Sequence, residues 1–137
     1  MKITIDIRVM AFETDFYGIV SNTRYPEYLE RGRYALLHQA GLTVKEMWDE
    51  IGVQPILRHV EIDYLGFARH EDLLQLHTWV ESHAGATSTL RHELVRVDNG
   101  QVIMRATQML AYINKRDRPV RVPQSYRDAL SPIPSAK

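Results

Sequence analysis

In the stretch "FETDFYGIVSNTRYPEYLERGR" (residues 12–33), Asp15 stands close to the aromatic Phe12, Phe16 and Tyr17, followed by Gly18 and the β-branched pair Ile19 and Val20. Two uses are open for it. An aspartate between a strand and a helix commonly caps or solvates the connecting turn. A carboxylate held beside the start of a buried helix can instead act as a general base or a nucleophile. Glu13 lies outside the spacing and is expected to be a solvated neighbour. The second concentration of chemistry-bearing side chains is basic: Lys115, Arg116, Arg118 and Arg121. Such a cluster suits phosphate groups, and a solvated turn at a strand end would look the same.

Other chemistries lack their residues. The chain has no cysteine, which removes thiol nucleophiles, disulfides and thiolate metal sites and fits a reducing, cytoplasmic setting. The His-Glu pairs at His70 and His92 are followed at the fourth position by Leu74 and Arg96, so neither forms a zinc-protease helix. The six histidines are scattered, and no G-x-S-x-G, G-x-G-x-x-G or phosphate-loop pattern occurs; no metal is expected. Lys plus Arg and Asp plus Glu both number 17, so no bulk field draws in nucleic acid or an acidic membrane. No stretch approaches the roughly 18 apolar residues of a membrane span.

The elements that must position Asp15 follow from the period of the apolar residues. Residues 3–11 alternate, with Ile3, Ile5, Ile7 and Val9 on one face, and predict a half-buried strand. From Tyr25 the stripe becomes Tyr28, Leu29, Gly32, Ala35, Leu36 and Ala40, with Pro26 in the first turn and Gly41 as a stop, which predicts one helix of about four turns. A shorter helix, "TVKEMWDEI", follows it. The alternating runs "VQPILRHVEIDYLGF", "DLLQLHTWVESH", "TSTLRHELVRV" and "QVIMRATQMLAYI" predict four long strands, the last two joined as an antiparallel hairpin at Asn99-Gly100. At 137 residues this is one α+β domain, a curved five-stranded antiparallel sheet wrapped around one long helix, with its C-terminus expected to fray from about residue 131. A sheet with two open edges and an open face favours pairing with a second copy, so a homodimer or homotetramer is expected.

The segments "ETDFYGIVSNTRYPEYLERGRYALLHQAG", "VEIDYLGFARHEDLL" and "RPVRVP" resemble the hotdog-fold acyl-CoA thioesterases of the 4-hydroxybenzoyl-CoA thioesterase type, over about Ile3 to Leu130. The resemblance implies that Asp15 is the catalytic carboxylate and that the backbone N–H of Asn22 polarises the thioester carbonyl. It also implies that acyl-CoA binds across a subunit interface, with Tyr25 at the site. Arg118 and Arg121 are the candidate phosphate ligands, and no cofactor is needed beyond the coenzyme A of the substrate. Many relatives carry different residues where this chain has Ser21-Asn22-Thr23-Arg24, which leaves the acyl pocket open and puts Arg24 either near its entrance or in solvent.

The chemistry suits so sparse a set of groups. A thiolate leaving group, with a conjugate pKa near 8.5 judged from cysteine, departs without a strong general acid. Asp15 then needs only to deprotonate water or to attack the carbonyl, and Gly18 lets the backbone approach the thioester closely. Two rival functions are a hotdog hydratase or dehydratase and a noncatalytic acyl-CoA binding module. The first usually recruits a histidine, and His38, at the far end of the helix, lies roughly 20 Å from its start by helical rise.

Overall fold

The computed structural model describes residues 1–133. Its elements in chain order are β1 (Lys2–Arg8), a single 3-10 turn (Ala11–Glu13), α1 (Tyr25–Gln39), α2 (Val44–Glu50), β2 (Val53–Tyr64), β3 (Leu73–His83), β4 (Thr87–Arg96), β5 (Val102–Asn114) and α3 (Gln124–Ala129). The five strands form one antiparallel sheet in the order β1-β3-β4-β5-β2, curved around α1. β1 stops before the end of the alternating run. The Val9 N–H leaves the ladder for Asp72 O, and the Met10 N–H turns to the Glu13 carboxylate, which winds the chain into the 3-10 turn. The β4–β5 hairpin closes at Gly100, where φ is +71°.

α1 buries Tyr25, Tyr28, Leu29, Gly32, Leu36 and Leu37 against the concave face of the sheet. Gly32 is where the helix comes closest. A Cβ there would lie 2.5 Å from Thr78 Oγ1 and 2.8 Å from Leu76 Cδ2, so only glycine permits this approach. Beneath it a buried polar layer crosses the sheet. Thr78 of β3 donates its hydroxyl to His92 Nδ1 of β4 at 2.8 Å, and the His92 Nε2–H donates to Gln108 Oε1 of β5 at 2.8 Å. The layer separates two apolar clusters. One, around Ile7, Val20, Tyr28, Leu29, Leu74 and Met104, supports the start of α1; the other, around Leu36, Val80, Leu110, Tyr112 and Tyr126, supports its end.

The C-terminal segment belongs to the second cluster. Val122, Tyr126 and Leu130 are buried, and the Tyr126 ring meets Tyr112 edge-on at 5.1 Å. His83 fastens it by donating from Nε2 to Leu130 O at 2.8 Å. Beyond Leu130, the Ile133 N–H donates to Val80 O at 2.8 Å, and the rest of the stretch expected to fray lies outside the described residues.

β2 is the edge strand beside β5 and is largely exposed on both faces. Leu57, Val60 and Tyr64, on its helix-facing side, are all open, and a bulge at Arg58 breaks its register with β5. A long edge carrying apolar residues is a pairing surface unless something covers it.

Candidate active site

Residues 13–21 fold back on themselves. The Ser21 N–H donates to Glu13 O at 2.9 Å, Thr14 faces Val20 across a bridge, and the Asp15 N–H donates to Ile19 O at 2.9 Å. At the tip the Gly18 N–H returns to Asp15 O at 3.0 Å. Gly18 holds φ at +75°, a conformation that disfavours residues with a Cβ, although the space around it is open. Its backbone role is thus to close the turn. Asp15 itself shapes that turn, because its Oδ1 accepts the Tyr17 N–H at 2.8 Å. The side chain is exposed, and among the described residues no partner meets its other oxygen. One carboxylate therefore fixes the tip with one oxygen and presents the other.

The returning arm delivers Asn22. α1 begins at Tyr25, so Asn22 lies in the turn just ahead of the helix rather than on it, and the Arg24 N–H to Ser21 O bond at 2.9 Å closes that turn. Among the described residues the Asn22 N–H meets no acceptor. An unpaired N–H at the positive end of a helix is suited to a developing oxyanion. Asp15 and Asn22 thus come from the two arms of one hairpin.

The remaining expected residues are placed differently. Tyr25 is 4% exposed and packs against the rings of Tyr28 and Tyr64, with its phenol pushed up to about 12 by burial, so in the single chain it is core and offers no open face to a substrate. Arg24 is partly exposed at the start of the helix. It pairs with Glu27 at 2.9 Å, donates to Phe12 O and lies over the Phe12 ring, clamping the helix start to the 3-10 turn. Glu13 is a correction: it is buried, not solvated, at 8% exposure. The signal available in the sequence was an acid three residues after Met10, the spacing that lets a side chain cap the N–H opening a turn.

The basic cluster does not join Asp15 within one chain. Arg118 is bonded through its main chain to Asn114, which pairs with Val53, whereas the Asp15 hairpin lies at the Tyr64 end of the sheet through contacts with Ala68 and Arg69. Those two ends are some 10 residues of strand apart, roughly 30 Å. Arg118 and Arg121 are exposed, while Lys115 lies over the Trp48 ring. His92, the histidine at the centre of the sheet, is not placed for the acid-base role of a hydratase. His92 is buried with both ring nitrogens engaged, and burial pushes it down to about 4.

The sequence model of the Thioesterase-like superfamily matches residues 9–130. The chain belongs to this superfamily. Among curated relatives, this thioesterase-like chain is 29% identical over 124 residues to an acyl-CoA thioesterase, YbgC, of Haemophilus influenzae, covering 90% of each chain. It is 24% identical over 123 residues to a chloroplastic acyl-acyl carrier protein thioesterase, ATL3, of Arabidopsis thaliana, covering 90% of this chain but only 64% of that protein's length. Among solved structures, 4-hydroxybenzoyl-CoA thioesterase, crystallised as an Asp-to-Asn variant complexed with 4-hydroxybenzoyl-CoA, superposes with a TM-score of 0.88 at 22% identity over 95% of this chain and 99% of that one. The curved five-stranded sheet wrapped on α1 is the hotdog fold.

Proposed function

We propose that this thioesterase-like chain hydrolyses acyl-CoA thioesters to free acid and thiol. The reading rests on one observation above the others: a single hairpin carries an exposed carboxylate oxygen of Asp15 on one arm and the unpaired Asn22 N–H, just ahead of α1, on the other. The Asn22 N–H takes the carbonyl oxygen, and the Asp15 carboxylate either removes a proton from the attacking water or adds to the carbonyl carbon. In the second course the thiolate leaves with its electron pair, and water then cleaves the mixed anhydride. No cofactor is required. Free thiol release from a panel of acyl-CoAs tests the reading: hydration without release would favour a hydratase, and binding without turnover a noncatalytic module. The lack of cysteine fits a reducing compartment, and we place the protein in the cytoplasm.

The working unit in this proposal is a symmetric dimer or a tetramer built from it. Antiparallel pairing of β2 with its copy would cover the open Leu57, Val60 and Tyr64 and set the partner's Val53 end beside this chain's Tyr64 end. The Arg33 Nε, buried without a partner among the described residues, also awaits such a neighbour. Light scattering at micromolar concentration should therefore give at least a dimer; a monomer would remove the shared site.

The same pairing brings the partner's basic cluster toward Asp15. If Arg118 and Arg121 hold the nucleotide phosphates, changing both to Ala raises KM for acyl-CoA several-fold and leaves kcat nearly unchanged, because those contacts are alike in ground and transition states. Equal kinetics with a short pantetheine thioester and with the full coenzyme would rule the phosphate role out.

A further inference from the structure

We infer that Glu13 is a positioning residue for the reaction, acting through the hairpin that carries Asp15; the inference rests on the hydrolytic reading above. Its carboxylate is buried at a junction of three segments. Oε1 accepts the Met10 N–H at 2.8 Å while the Glu13 N–H donates back to Met10 O at 2.9 Å, which locks the 3-10 turn from both directions. The Glu13 carbonyl accepts the Ser21 N–H at 2.9 Å, so the same residue joins the outgoing arm of the hairpin to the arm that delivers Asn22. On its third side stands Tyr28 of α1, 1% exposed, whose hydroxyl has no hydrogen-bond partner of ordinary geometry. Burial first, and then the neighbouring Glu13 charge, push that phenol up, which places the carboxylate against the second turn of the helix.

A buried carboxylate is retained only where its hydrogen bonds compensate its lost hydration. Here those bonds set the distance between the attacking oxygen and the oxyanion donor. Asp15 lies two residues beyond Glu13 on one arm, and Asn22 lies one residue beyond Ser21 on the other. The return arm is also held by the Val20 N–H to Ala68 O bond and the Ile19–Arg69 bridge, but the tip itself is open: Phe16 and Tyr17 are exposed and the space around Gly18 is free, so on the Asp15 arm the anchor is Glu13. A shift of about 1 Å between reacting groups can cost about 10² in rate, so loosening this junction affects turnover more than binding.

Two substitutions separate hydrogen bonding from charge. Glu13→Gln keeps an oxygen that accepts the Met10 N–H but loses the charge; Glu13→Asp keeps the charge but falls a methylene short of that N–H. With an acyl-CoA that the wild type hydrolyses, Glu13→Gln should stay within about 3-fold of wild-type kcat. Glu13→Asp should lose about 10-fold or more in kcat with KM within about 3-fold. Amide hydrogen exchange gives a readout independent of activity: Glu13→Asp should speed exchange at Asp15, Gly18 and Ser21 while the amides of β3 to β5 keep wild-type protection. The inference is overturned if Glu13→Asp turns over at the wild-type rate, if Glu13→Gln is as slow as Glu13→Asp, or if KM rises as kcat falls. A wild-type protein that releases no thiol would overturn the hydrolytic reading, and the exchange pattern would then show separately whether Glu13 holds the hairpin.

Discussion

Asp15→Asn is expected to lower kcat for acyl-CoA hydrolysis by at least about 10², or about 2.7 kcal/mol in the barrier, with the fold intact. The structure makes this substitution unusually clean. Asparagine keeps an oxygen at Oδ1 to accept the Tyr17 N–H, so the turn closed by Gly18 survives while the basic, nucleophilic oxygen is lost. Thermal melting should stay level, because the side chain is exposed and its bond to the Tyr17 N–H is kept. Melting curves and thiol-release kinetics on the same preparation give the answer. Wild-type turnover with normal melting would leave Asp15 as a turn residue only, and the hydrolytic mechanism would fall with it.

Acid should destabilise the protein well before its carboxylates titrate, by about 2 to 3 kcal/mol between pH 7 and pH 4.5. The source is His92. In the unfolded chain it takes a proton near pH 6.5, whereas burial, opposed by its Gln108 bond and assisted by the nearby Arg33 charge, pushes the folded group down to about 4. Between those values the unfolded chain binds more protons. The stability is therefore fully present above pH 6.5 and is lost as the pH falls toward 4. His83 is shifted in the same direction by burial and adds to the loss, while Asp72, held low by the Arg69 N–H and the Arg96 guanidinium, contributes only below its unfolded value of 3.8. Urea unfolding at the two pH values, at one fixed protein concentration, measures the difference. A flat profile above pH 4.5 would mean that His92 is protonated without penalty and that the layer beneath Gly32 is wet.

Most of the architecture was legible from periodicity. The helix stripe Tyr28, Leu29, Gly32 and Leu36 is the stripe that α1 buries, and the alternation of the later strands matches the buried positions Leu74, Leu76, Thr78 and Val80 of β3. Asn99-Gly100 marked its hairpin because a positive φ at Gly100 is what that turn demands. Periodicity failed where side chains took over the backbone's hydrogen bonds. The alternation through Val9 could not reveal that Glu13 captures the Met10 N–H and ends β1 at Arg8, nor that Glu13 is thereby buried. The short helix α3 ahead of the tail was not expected, yet Val122, Tyr126 and Leu130 carry a helical spacing that fills the far cluster. The distance between Arg118 and Asp15 was beyond reach for another reason: strand order decides which ends meet, and no single-strand pattern encodes it.

The polar layer of Thr78, His92 and Gln108 has a consequence for how the chain tolerates change. The two apolar clusters it separates share only Ile5 as a common neighbour among the described residues. Substitutions in separate, non-touching sets of side chains add in their effects on stability, whereas those within one set couple. Residues around Leu29, Leu74 and Met104 can therefore be varied to reshape the end of the sheet that carries the Asp15 hairpin without drawing on the packing around Tyr112 and Tyr126. The fold keeps its room for new specificity and its reserve of stability in different compartments.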